Sequence, residues 1–280
     1  MKAHKHTLMK EVAFSGVGVH SGKPVKLALR PSDSGRLVFR RMDLDGLELL
    51  PEPLSFGARN CTFLQRSEVR VRTVEHLLAA LSMSGVDSAT IELDAEEVPI
   101  LDGSAAPFVK AIAAAGTTPI PAERKFLRVL KPFRLQEGDV FVAFVPDEAF
   151  RVSYTIEFSH PLIGRQDLSL ALTPDSFAEE IAPARTFGFL KDAEIMRAMG
   201  LALGSSLENS VVLDDTNVVN PPLRFHDEFV RHKILDLVGD MAVVGAPLVG
   251  HVLASKAGHA LHLRALHSLL ASPRHWVLAD

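Results

Sequence analysis

The stretch Phe229-Val230-Arg231-His232-Lys233-Ile234-Leu235-Asp236-Leu237-Val238-Gly239-Asp240 sets His232, Asp236 and Asp240 four residues apart. Residues at i and i+4 share one face of a helix, so one imidazole and two carboxylates form a stripe there. Val230, Ile234, Leu237, Val238 and Met241 make an apolar face, while Phe229, Leu235 and Val243 point elsewhere, which predicts a helix enclosed on most sides. Polar groups on such a helix must be paired, hydrogen-bonded or bound to a metal. His232 and Asp236 offer a metal one nitrogen and one oxygen. A tetrahedral catalytic site needs a third protein ligand and an open position for water, so the third donor must come from elsewhere in the chain.

The best donor is Thr73-Val74-Glu75-His76-Leu77-Leu78-Ala79-Ala80, with Thr73 expected as a helix N-cap and Gly85 as the terminator after Met83-Ser84. His76 then completes the set. Glu75 lies next to the metal without binding it, which is where a general base for a water molecule is wanted. Each half alone also fits a blander role, since a histidine beside a helical glutamate is commonly a solvated pair. Together they supply two imidazole nitrogens, one ligating carboxylate and one spare.

The chain has 280 residues, 47% of them hydrophobic and 23% charged, the balance of a globular protein with a sizeable core. A formal net charge of -4 gives no overall basic field, so nucleic acid is not expected as a partner. The opening stretch Met1-Lys2-Ala3-His4-Lys5-His6-Thr7-Leu8-Met9-Lys10 lacks an apolar run to serve as a signal core, and no later segment reaches the length of a membrane span; a cytoplasmic protein is expected. The single cysteine, Cys61, excludes an intramolecular disulfide and a cysteine-rich zinc site, leaving histidine and carboxylate as metal ligands.

Two hydrophobic periods alternate along the chain. Val25, Leu27 and Leu29 alternate with polar or small residues, and Leu37-Val38-Phe39 follows the turn Pro31-Ser32-Asp33-Ser34-Gly35, which predicts a hairpin. A helix from near Thr73, a strand around Thr90-Leu93 and a helix over Ala106–Ala115 stopped by Gly116 come next. Gly116-Thr117-Thr118-Pro119-Ile120-Pro121-Ala122-Glu123-Arg124 is the one stretch with the composition of a linker. Beyond it the pattern restarts with strands over Val140–Val145 and Val152–Phe158. Helical patterns follow near 175–182, 192–200, 227–244 and 259–270. Strands followed by helices in both halves predict an α+β fold of two layered domains, residues 1–120 and 125–280. Glu75 and His76 fall on the first, His232 and Asp236 on the second, and a cleft between domains is a common ligand site.

Six blocks carry a family resemblance: Gly16-Val17-Gly18-Val19-His20-Ser21-Gly22; Thr73 to Leu77; Ile100-Leu101-Asp102-Gly103-Ser104-Ala105-Ala106-Pro107-Phe108; Ala184-Arg185-Thr186-Phe187-Gly188-Phe189; Glu228 to Asp236; and Gly258-His259-Ala260-Leu261. In content and order they resemble the UDP-3-O-acyl-N-acetylglucosamine deacetylases. That resemblance implies two β-α-α-β domains with the active site between them, one zinc ion, and removal of acetate from UDP-3-O-acyl-N-acetylglucosamine, the committed step of lipid A synthesis in Gram-negative-type bacteria.

Position by position, the resemblance implies His76, His232 and Asp236 as zinc ligands and Glu75 as general base, in agreement with the chemistry above. A His2Asp set also accepts iron or cobalt. By the same resemblance Thr186 stabilises the tetrahedral oxyanion, His259 acts as imidazolium on the oxyanion or the departing amine, and Asp240 hydrogen-bonds His259. Lys233 and Lys256 resemble cationic contacts to the UDP-sugar; Phe158, Phe187 and Asp192 line its sugar and nucleotide region, and His20 sits in a glycine-rich turn that approaches the site. The segment from Ile195 to Gly204, with Leu201, corresponds to an apolar passage for the acyl chain, although a buried packing helix explains the same letters. Cys61 matches a position near the metal but is not needed as a ligand. The expected partner is the small-molecule UDP-acyl-aminosugar, with weak contact to this lipid-like substrate, and the protein is expected to be a monomer. A protein that only binds metal or a nucleotide-sugar is the non-enzymatic alternative; Glu75, a carboxylate with no structural need to stand beside a ligand, speaks against it.

Overall fold

A computed structural model describes residues 3–51, 56–58 and 60–280; Met1 and Lys2 of the opening stretch lie outside the described residues. In the first half the strands are β1 (His4–Leu8), β2 (Val12–Val17), β3 (Pro24–Arg30), β4 (Leu37–Arg41), β5 (Leu47–Leu49), β6 (Phe56–Ala58), β7 (Thr62–Arg66), β8 (Val69–Arg72), β9 (Ala89–Leu93) and β10 (Thr117–Glu123), with helices α1 (Glu75–Met83) and α2 (Ala106–Ala115). In the second half they are β11 (Phe126–Val129), β12 (Phe133–Glu137), β13 (Val140–Val145), β14 (Phe150–Glu157), β15 (Arg165–Ala171), β16 (Phe187–Phe189), β17 (Val211–Leu213), β18 (Leu248–Ser255) and β19 (Trp276–Ala279). Its helices are α3 (Pro174–Ser176), which runs into a π-turn over Phe177–Ile181, α4 (Ala193–Ala198), α5 (Glu228–Ala242) and α6 (His259–Leu270). The fold is α+β, as expected.

The first half is built on a sheet of order β2-β3-β9-β4-β5, the second on one of order β12-β13-β18-β11-β19 to which β14 and β15 add through β18. Alternation explains their faces: Val25, Leu27 and Leu29 of β3 are buried while Lys26 is exposed. The predicted hairpin of β3 and β4 does not form, because β9 lies between them, antiparallel to β3 and parallel to β4. Ala89, Ile91 and Leu93 of β9 are fully buried and claim the sheet centre. Turn residues between β3 and β4 report that the chain reverses, not which strands then pair. The expected linker is likewise a strand, since β10 pairs antiparallel with β1. A two-stranded ribbon has free edges, where Pro119 and Pro121 give up no ladder hydrogen bond.

Helices α1 and α5 pack against each other, and α6 packs on α5 and on β13. The pairing of α1 with α5 depends on Gly239, where an added Cβ would come within 2.0 Å of the Glu75 carbonyl oxygen. The bare glycine lets the start of α1 approach the α5 backbone, which brings Glu75 and His76 to His232 and Asp236. One hydrophobic cluster joins both sheets through these helices, with Leu29, Ile91, Leu77, Ile234, Leu237, Leu266, Val152 and Phe144 among its members. Every residue of α5 from Glu228 to Met241 except Arg231 and Lys233 is buried, as its apolar pattern predicts.

Candidate active site

Three ligand atoms converge where α1 meets α5. The Nε2 atoms of His76 and His232 lie 3.6 and 3.3 Å from Asp236 Oδ1, and one atom from each of the three residues falls within 4.8 Å of the others. All three side chains are buried. His232 Nδ1 is 3.1 Å from the Ala184 carbonyl oxygen. A carbonyl only accepts, so Nδ1 carries the proton and the Nε2 lone pair is left free for a metal. Burial then lowers the His232 pKa to about 4, which keeps the ring neutral as a ligand must be. Asp236 turns its other oxygen, Oδ2, to the Lys233 ammonium at 2.7 Å. Burial works against its charge, but the histidine and lysine neighbours hold the Asp236 carboxyl well below the usual range. This donor set fits a zinc-type site, with two neutral nitrogens, one ionised carboxylate and partners that orient them.

Glu75 stands beside this set without joining it. Its Oε2 accepts a hydrogen bond from the Thr62 backbone N–H at 3.1 Å, and the residue is 3% exposed. Burial pushes its pKa up to about 7, against the lowering effects of His259 and His76. A carboxylate poised near neutrality can accept a proton from water and release it again. Thr73, expected to cap α1, does not: Val74 is the N-cap, and the Thr73 hydroxyl instead donates to Glu97 Oε1 at 2.7 Å. Glu97 is fully buried and also takes the N–H groups of His20 and Ser21, so the cost of burying its charge recruits the hydroxyl from the helix end.

Across the site His259 begins α6, as predicted. Its Nδ1 lies 2.8 Å from Asp240 Oδ2. Its Nε2 lies 3.8 Å from Glu75 Oε1 and 3.7 Å from Asp236 Oδ2, so the ring points into the cluster. Burial would lower its pKa, but the carboxylates of Asp240 and Asp236 outweigh that and raise it to about 9. A carboxylate and an imidazole, both with raised pKa values, are therefore held close together, a pattern that marks candidate functional sites.

These groups form the floor of a cleft of about 310 Å3, within the range of small-ligand pockets. His20, Thr186 and Phe187 line it with them, and its outer wall is Leu190, Met196 and Leu207. Thr186 is held by an N–H bond of 2.8 Å to the Gly103 carbonyl. Gly103 has φ +85° and would drive a Cβ within 2.1 Å of the Asn209 carbonyl, which explains the glycine in the Asp102-Gly103-Ser104 block. Other expected contacts lie off the cleft surface. Phe158 packs edge-on against Phe187, with ring centroids 5.7 Å apart. Asp192 precedes α4. Leu201 is buried beside a neighbouring groove lined by Arg41, Arg70 and Arg72. Lys256 directs its ammonium to Asp139 at 2.9 Å and to Glu157. Cys61 is buried, and burial together with Glu75 pushes its thiol up to about 11, so it stays protonated.

Two partners of Asp240 were not read from the sequence: Thr62, whose hydroxyl donates to Oδ1 at 2.5 Å, and His262, whose Nδ1 is 2.7 Å from Oδ2; nor was Tyr154, whose hydroxyl is 2.8 Å from His262 Nε2. His262 had a signal, since it follows His259 at i+3 on one helix. Thr62 and Tyr154 had none, because they come from β7 and β14.

Two imidazoles and a carboxylate converging in a cleft, with an unligated carboxylate of raised pKa beside them, define the class of metal-dependent hydrolases. Sequence comparison narrows the class. The model of the UDP-3-O-acyl N-acetylglycosamine deacetylase family matches residues 5–271, and the chain belongs to that family of metalloenzymes. Among its relatives, the UDP-3-O-acyl-N-acetylglucosamine deacetylase of Geotalea uraniireducens is 45% identical, covering 99% of this chain and 92% of the relative. The proteins of the same name from Neisseria meningitidis serogroup C and Idiomarina loihiensis are 44% and 43% identical, over 95% and 97% of this chain and 90% and 91% of their own lengths.

Proposed function

We propose that this chain is a zinc-dependent amidohydrolase that removes the acetyl group of UDP-3-O-acyl-N-acetylglucosamine, giving UDP-3-O-acyl-glucosamine and acetate in lipid A biosynthesis. The observation that carries the mechanism is the convergence of His76, His232 and Asp236 with Glu75 alongside and His259 facing it. When held by those three residues, zinc would supply Lewis acidity to the acetyl carbonyl and acidify a water molecule. Glu75 takes a proton from the attacking water as the new C–O bond forms. The Thr186 hydroxyl donates to the oxyanion that develops on the former carbonyl, a contact of a kind typically worth about 3–4 kcal/mol of barrier. His259 delivers its Nε2 proton to the amide nitrogen as the C–N bond breaks, so the products are a free amine and acetate. Asp240 keeps the imidazolium oriented.

Lys233, Lys256 and His20 are proposed for the UDP-sugar end, with Phe158, Phe187 and Asp192 flanking it. The segment from Ile195 to Gly204, with Leu201, is proposed to take the acyl chain. Among the described residues no helix is long and apolar enough to cross a membrane; a nucleotide-activated sugar is a cytoplasmic metabolite, and the reaction is assigned to that compartment. Residues 1–120 and 125–280 are proposed as the two units that meet at α1 and α5. Every proposed catalytic group lies in one chain, so a monomer suffices. The test is acetate release from the acylated UDP-sugar by purified protein of measured metal content. Protein carrying stoichiometric zinc that releases no acetate would overturn the assignment.

A further inference from the structure

Asp240 receives two histidines on a single oxygen. His259 Nδ1 and His262 Nδ1 lie 2.8 and 2.7 Å from Oδ2, while Oδ1 takes the Thr62 hydroxyl. The carboxylate is fully buried and its neighbours keep it ionised, so it can only accept, and both Nδ1 atoms carry protons. His262 is fully buried. Its Nε2 is 2.8 Å from the Tyr154 oxygen, which lies 2.7 Å from the Ala257 carbonyl. The single phenolic proton serves one of those two acceptors, and in either case His262 Nδ1 still donates to Asp240. The ring is therefore clamped between β14 on one side and α5 on the other, with no contact to the cleft, whose lining includes His259 but not His262.

From this geometry we propose that His262 is a positioning residue for the deacetylation, acting through Asp240 to hold the His259 ring with its Nε2 facing the cleft. Without the His262 N–H, Oδ2 keeps only the His259 donor, and apart from that ring itself Thr62 alone anchors the carboxylate, which is then freer to rotate. His259 turns with it, and its Nε2 leaves the line to the amide nitrogen. Substrate binding does not depend on that line, so the effect falls on kcat and not on KM. The inference rests on the catalytic reading of His259 given above.

The experiment compares His262→Leu, His262→Asn and His262→Gln in zinc-loaded protein. An asparagine amide nitrogen sits as many bonds from the backbone as Nδ1 and can replace its hydrogen bond, a glutamine reaches the Tyr154 side instead, and leucine replaces neither. His262→Leu and His262→Gln are expected to lower kcat by about 10- to 100-fold, as partners behind a functional group commonly do, with KM and zinc content unchanged. His262→Asn is expected to restore most of the loss. Unimpaired His262→Leu overturns the proposal, and so does an equal loss in all three variants that tracks a fall in melting temperature, which would make His262 a packing residue. His259→Ala is measured beside them. If the parent protein releases no acetate, or His259→Ala is as active as the parent, the reading of His259 fails; if both controls behave as expected, a failure belongs to His262 alone.

Discussion

The floor of the cleft and its outer wall are built on opposite plans. On the floor, Glu75, His76, His232, Asp236 and Asp240 are buried, and partners fix their polar atoms: Thr62 N–H for Glu75, the Ala184 carbonyl for His232, Lys233 for Asp236, and His259, His262 and Thr62 for Asp240. At the wall, Leu190 and Leu207 stand large and apolar in solvent, each 54% exposed. A floor whose groups are fixed before substrate arrives needs no reorganisation during the reaction. A wall of exposed, weakly constrained apolar groups suits a ligand part recognised by burial alone, such as an alkyl chain. On the proposed reading, chemistry and chain selection are separable in this molecule.

The largest effects should come from the floor. His76→Ala, His232→Ala and Asp236→Ala each remove one of the three proposed protein ligands, and metal content should fall with activity in every case. Glu75→Ala should keep stoichiometric metal and lose about 100- to 10,000-fold in turnover, the usual range for a general base. Metal analysis separates the two groups. If Glu75→Ala loses its metal, Glu75 is a ligand, and the division of roles on the floor is wrong.

The pH profile sharpens the same picture. With Glu75 as the proposed base and His259 as the proposed acid, Glu75 must be ionised to act, so activity should be lost as pH falls through its value of about 7. His259 must be protonated, so activity is lost as pH rises through its value of about 9. A bound divalent cation lowers both, placing the limbs of a bell-shaped kcat/KM curve at or below these values; they are macroscopic values of a coupled site. His259→Ala should flatten or displace the alkaline limb while leaving the metal bound. An unchanged alkaline limb in that variant means another group titrates there.

Gly239→Ala should affect the floor without touching any reacting group. Its Cβ meets the Glu75 carbonyl at 2.0 Å. Forcing the helices apart should cost about 1–3 kcal/mol of stability, as overpacking usually does. Because α1 carries both Glu75 and His76, metal affinity should drop too. Denaturant unfolding combined with metal titration reads both, and a variant with parental stability and affinity would mean that α1 can shift at no cost.

The smallest effects belong to the wall. Leu190→Ser and Leu207→Ala leave an exposed surface and should change stability by no more than about 0.5 kcal/mol. KM for long-chain substrates should rise modestly while kcat stays near the parent value. A large fall in kcat for these variants would end the separation of chemistry from chain selection.

The sequence by itself determined the parts whose cause is local. The spacing of His232, Asp236 and Asp240 is a property of one helix, as is the adjacency of Glu75 and His76, and the apolar pattern of α5 announced its burial. His259 at the start of α6 followed from the helical pattern over 259–270. The tertiary structure decided what depends on distant partners. Insertion of β9 between β3 and β4, pairing of β10 with β1, recruitment of Thr73 by Glu97, and assembly of Thr62, Tyr154 and His262 around Asp240 all join segments far apart in the chain. The distinction is physical: helix periodicity and turn chemistry act within a few residues, whereas a buried charge takes its hydrogen bonds from whichever donors packing delivers to it, and packing is settled only when the whole core closes.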